Sequence, residues 1–161
     1  MAAELSIGAL LGLGVGLAAD LFKRRYELRL ANQRDVRQLV GEVSAGVAKM
    51  VHLILWVTYR ASPKTIDPEI SAYDSEAHDL IGLLVSAQAK LSVASSHEFA
   101  RVTPWITKVI KLSEDADQAL ADMKSKKRGS ADRVSEVNSS AMSLLKEFQA
   151  GLLGRVRADS S

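Results

Sequence analysis

The sequence predicts an all-α protein: an N-terminal transmembrane helix followed by an up-and-down antiparallel bundle of about four helices. Three observations carry this. The composition is rich in Ala, Leu, Val, Ser and charge, with 5% aromatics and only three prolines, which favours helices over sheets. From Leu5 to Ala19 no residue is charged. Beyond that stretch apolar residues recur at spacings of three and four, and nothing alternates with period two over the length of a strand.

The totals narrow the classes further. Setting aside roughly 20 residues for the apolar N-terminus leaves about 140, enough for one domain with a continuous core. Lys and Arg number 21 against 19 Asp and Glu, a formal charge of +2. So even a balance argues against a dedicated nucleic-acid binder. The absence of cysteine excludes a disulfide framework, a thiol nucleophile and a thiolate metal site.

Residues 1–22 read as a membrane anchor. A spanning helix needs about 20 apolar residues, within a range near 17 to 25. Leu5 to Phe22 supplies 18, including Ser6 and Asp20, and is closed at once by Lys23, Arg24 and Arg25. Asp20 sits beside that basic flank, where a charge reaches the headgroups at little cost. Arg29, Arg34 and Arg37 follow, against Glu27 and Asp35. The positive-inside rule then sets the N-terminus outside and the body in the cytoplasm, at the inner (plasma) membrane.

Two rivals share this stretch. Gly16-Leu17-Ala18 has the small residues of a signal-peptide cleavage site, but the preceding Met-Ala-Ala-Glu carries no basic residue. A core or oligomerising helix of a soluble protein is also apolar all round. Within the stretch Gly8, Gly12 and Gly16 recur every fourth residue, the spacing that lets two helices approach closely. They form the candidate helix-association face of a homo-oligomer.

Residues 23–60 contain no proline and read as one long helix, a polar stalk and then the first bundle helix, ~57 Å long in all. Val36, Leu39/Val40, Val43, Val47, Met50/Val51, Ile54 and Val57/Thr58 draw its apolar stripe. Val47 to Tyr59, interrupted by Lys49 and His52, is too short for a second span and reads as core helix. Residues 61–156 hold the remaining bundle helices. Asp67-Pro68 predicts a cap with proline at the first helical position, opening a helix to Ala94. Ser95-Ser96-His97-Glu98 has the form of a capping box. The helix it opens meets Pro104, which either kinks it or lets Thr103 cap a new one. The basic run Lys124 to Arg128 and Gly129 mark its end. Ser130 then caps a last helix, with Val134, Val137, Met142, Leu145, Phe148, Leu152 and Val156 inward. Residues 157–161 read as a disordered tail.

Three stretches, GALLG at 8–12, KRRYELR at 23–29 and LSVASSHEFARV at 91–102, together resemble a broad class of uncharacterised bacterial proteins. These have one N-terminal membrane helix and a helical cytoplasmic body. Where that class has Ser-Pro-Glu-Val at the inter-helix joint, this chain has Ser96-His97-Glu98-Phe99. The resemblance implies an architecture and carries no activity and no site residue.

Reactive constellations are not legible. His52, His78 and His97 fall on different helices or caps, and neither HExxH, a paired Glu-x-x-His nor GxSxG occurs. Gly12-Leu-Gly14-Val-Gly16 lacks the spacing and preceding strand of a dinucleotide loop. Glu114, Asp115, Asp117 and Asp122 read as a solvated acidic face. Lys124, Lys126, Lys127 and Arg128 form the candidate contact with an anionic surface. No catalytic residue, metal ligand or cofactor is expected. The function expected is protein–protein interaction or scaffolding from the membrane, with membrane lipid, a second copy and an unidentified protein as partners. The alternatives are a membrane-active toxin or holin-type pore former, and a soluble bundle that oligomerises through residues 5–22.

Overall fold

The computed structural model describes the backbone of residues 4–62 and 66–158, and the side chains of residues 23, 27–62 and 66–151. All the elements described are helices: α1 (Glu4–Arg60), α2 (Ile66–Ala94), α3 (Ser96–Lys124) and α4 (Ser130–Ala158). The chain divides into two compact units, Met1–Gln38 and Leu39–Ser161. In the first, the described side chains are solvent-exposed except Val36, and Leu28 retains 70% of its surface.

The second unit holds the core. With no proline to interrupt it, α1 continues through residues 39–60, and its three–four spacing buries Val43, Val47, Met50, Val51, Ile54 and Val57. Tyr73, Leu84 and Leu91 come in from α2, Ile106, Val109, Ala116 and Leu120 from α3, and Ala141, Leu144 and Phe148 from α4. Each large aliphatic side chain buried this way contributes about 1.5–3 kcal/mol before the entropy of ordering is counted.

Polar contacts set the register between neighbours. Lys49 pairs with Glu76 at 2.8 Å and Arg60 with Glu69 at 3.2 Å, joining α1 to α2. Gln88 Nε2 donates to Thr103 Oγ1 at 3.0 Å, and Lys124 pairs with Asp67 at 2.8 Å, joining α2 to α3. Trp105 meets Phe148 edge to face at 5.3 Å, and Lys108 pairs with Glu147 at 2.9 Å, joining α3 to α4. Along each pair, residue numbers rise on one helix as they fall on its neighbour. Asn138 of α4 closes the circuit by donating to Thr58 Oγ1 of α1 at 2.7 Å. Thr58 Oγ1 in turn donates to the Ile54 carbonyl at 2.7 Å, so this buried hydroxyl is fully used.

At one point a leucine of α2 fills the space over a glycine of α1. A Cβ on Gly46 of α1 would lie 2.9 Å from Leu84 Cδ2 of α2. The glycine leaves room for Leu84, since its backbone is ordinary helix.

Several local expectations change. The second helix starts at Ile66 rather than Pro68, because buried Ile66 draws the first turn back. Pro68 is then its third residue, where its missing N–H costs no hydrogen bond. Ser95 caps α3, with φ −160° and ψ 102°, and its hydroxyl accepts from the Glu98 N–H at 3.3 Å. That helix runs unbroken through Pro104, so Thr103 does not begin a new one. Its hydroxyl instead donates to the Phe99 carbonyl at 2.7 Å. On α4 the inward set is Val134, Val137, Ala141, Leu144 and Phe148, while Met142 is 44% exposed. Period rather than size decides the inward position, since Ala141 continues the spacing and Met142 does not. The last helix reaches Ala158, two residues into the expected tail. Leu152 and Val156 lie outside the described side chains.

Candidate functional site

The most constrained polar cluster lies where α3 turns into α4. After Lys124 the Ser125 N–H donates to the Ala121 carbonyl and the Lys126 N–H to that of Met123, both at 3.0 Å. Lys126 takes a left-handed φ of 53° and Gly129 one of 76°, which together reverse the chain in few residues. The reversal delivers two cations to one carboxylate. Lys127 Nζ and Arg133 Nη1 both donate to Asp122, and Gln118 Nε2 adds a bond at 3.0 Å.

Asp122 is 2% exposed, which overturns its expected place on a solvated acidic face. The reason is angular: it sits between the inward positions Ala119 and Met123, turned toward α4. Its carboxyl is held below the usual range by the Lys127 hydrogen bond first, against the opposing effect of burial, and then by Gln118 and the two positive charges. A carboxylate with a cation five residues on and another eleven on was available in the sequence. The missing signal was the tight turn.

This geometry divides the predicted basic cluster. Lys124 is engaged by Asp67, whose hydrogen bond and charge raise its ammonium above the ordinary range. Lys127 is engaged by Asp122. Lys126 and Arg128 are exposed and make no ion pair among the described residues. Of the other predicted residues, Lys23 is exposed. The surroundings of Gly8, Gly12 and Gly16 and the side chains of Arg24 and Arg25 lie outside what is described.

A second buried polar spot joins α2 to α3. Tyr73 is wholly buried and shares a 2.8 Å hydrogen bond with the hydroxyl of Ser113, itself 1% exposed. Burial pushes the Tyr73 phenol well up. Asp117 is pushed up as well, by burial first and then by the charge of Asp74. These two acids, with Ile70, Leu120, Ala121 and Lys124, line a surface cavity of about 420 Å³. Tyr73→Phe should leave Ser113 without its partner and cost about 1–2 kcal/mol in urea denaturation. An unchanged midpoint would show that the bond is not contributing.

His52, His78 and His97 are exposed, and His97 Nδ1 lies 3.3 Å from Glu98 Oε1. Among the described residues no three acidic or histidine side chains converge as metal ligands. Also among them, one helical segment, Glu27–Arg60, is long and apolar enough to cross a membrane, with a mean hydropathy of 1.4. That apolar window is 44% buried, and its Val47, Met50, Ile54 and Val57 fill the core, as expected for a core helix. No protein family, curated protein or solved structure matches the chain.

Proposed function

We propose that the protein is a single-pass, N-out membrane protein whose cytoplasmic part is an up-and-down antiparallel four-helix bundle that acts by contacting other proteins. The observation that carries this reading is the double use of α1. One helix, Glu4–Arg60, contains both the uncharged stretch from Leu5 to Ala19 and seven core residues from Val43 to Val57. The basic flank at Lys23, Arg24 and Arg25 supports the orientation. The opposed register of consecutive helices supports the bundle. Self-association through Gly8, Gly12 and Gly16 belongs to the same reading.

The test is fractionation of the full-length chain at native expression level, with a carbonate wash. Retention in the pellet until detergent is added is the expected result, whereas a soluble, defined oligomer would remove the anchor. In the membrane, Gly12→Ile/Gly16→Ile should abolish the crosslinked oligomer, and an unchanged oligomer would remove the glycine face. A second reading has one observation in its favour. The apolar window within Glu27–Arg60 is a core helix, and residues 5–22 would be another if they packed within a soluble assembly.

A further inference from the structure

Four of the six cations that follow the apolar stretch have described side chains, and all four face solvent. Lys23, Arg29, Arg34 and Arg37 are exposed on α1, and none makes an ion pair among the described residues. Residues 23–37 carry six basic residues against Glu27 and Asp35. A helix with this much unbalanced charge is a surface looking for anions.

The rise of the helix grades them. Arg29 lies ~9 Å along the axis from Lys23, Arg34 ~16 Å and Arg37 ~21 Å. Attraction to a charged membrane fades within a Debye length, about 8–10 Å at physiological salt. Side chains on a helix lean toward its N-terminus, so Lys23 and Arg29 extend back toward the apolar stretch. That stretch, 18 residues from Leu5 to Phe22, is ~27 Å long, close to the thickness of a hydrocarbon core.

We infer that the segment Lys23 to Arg29 of α1 is a binding surface for anionic phospholipid headgroups, and that Arg34 and Arg37 stand beyond their reach. The inference rests on the anchored reading above. Four cations, Lys23, Arg24, Arg25 and Arg29, gather acidic lipid around the helix, with Glu27 the one opposing charge among them. The partner is lipid rather than nucleic acid because the cations follow directly on the apolar stretch.

The experiment uses the full chain reconstituted into vesicles of phosphatidylcholine and phosphatidylglycerol, checked for resistance to alkaline extraction. Patches excised with an amphipathic polymer are then assayed for lipid composition. The wild type should hold phosphatidylglycerol at about twice its bulk fraction. K23Q/R24Q/R25Q/R29Q should fall to the bulk value, and R34Q/R37Q should match the wild type. Circular dichroism and alkali resistance confirm that each variant is folded and inserted. Bulk composition around an inserted wild type would overturn the inference and leave the anchor standing. Equal losses in both variants would overturn it too, because the helix would then lie along the surface. Extraction of the wild type by alkali would overturn the anchor and the inference together.

Discussion

Leu84→Ala should lower the stability of the protein by about 3 kcal/mol, and adding Gly46→Ala should return about 1 kcal/mol of that loss. Leu84 is wholly buried, so its truncation removes transfer free energy and leaves a cavity at the α1–α2 crossing. A Cβ on Gly46 would meet Leu84 Cδ2 at 2.9 Å and Leu84 Cγ at 3.3 Å. In the wild type that clash opposes the better helix propensity of alanine, so Gly46→Ala alone should gain nothing or cost stability. Once Leu84 is shortened, the methyl enters vacated space and the propensity gain appears. Leu83 Cδ2, at 3.3 Å, belongs to a side chain 44% exposed and is free to move. Denaturant midpoints of the two single variants and the double variant form a cycle. Additive effects would show that the glycine is not held by this leucine.

Asp122→Asn should lower the midpoint of thermal unfolding at pH 7 on the order of 5 °C. It leaves Lys127 and Arg133 facing a neutral amide and removes the charge that fixes the α3–α4 reversal. The pH dependence identifies the cause. Because the folded pKa of Asp122 is depressed, its stabilisation is complete above the unfolded value and is lost as the pH falls through the folded one. Wild-type stability should therefore fall more steeply than that of Asp122→Asn as the pH drops below about 4. Asp117 works in the opposite sense. Its raised pKa means that acid relieves a destabilising charge before Asp122 begins to protonate. Parallel pH profiles for wild type and Asp122→Asn would show that the cluster does not stabilise the fold.

The helices were legible because their apolar residues keep one period for long runs, and no other force competes with it. Val47, Met50, Ile54 and Val57, or Leu80, Leu84, Ala87 and Leu91, need only the spacing to be assigned inward. Where size and period disagreed, period was the better guide, as Ala141 and Met142 show. The Asp122 cluster was hidden for a different reason. Its cations come from beyond a turn, and only the left-handed Lys126 and Gly129 bring them back onto α3. Tyr73 keeps the inward period of α2 with Ala77, Leu80 and Leu84, but its partner Ser113 lies 40 residues away, a pairing that no local pattern encodes. The contrast between Lys127, held by Asp122, and exposed Arg128 likewise depends on the turn.

The bonds of Asn138 predict an order of assembly. Its bonds to Thr58 and to the Leu55 carbonyl join residues 80 and 83 apart in the chain. Arg133 and Asp122 are 11 apart, Gln88 and Thr103 15, and Lys108 and Glu147 39. Short loops close at lower entropic cost, so hairpins of adjacent helices form early while the seam between α1 and α4 waits for all of them. The same seam then sets where the native body first breathes. Opening it would separate one pair of helices and leave the contacts between consecutive helices intact, so hydrogen exchange should find amides along that seam less protected than those of the α2–α3 core.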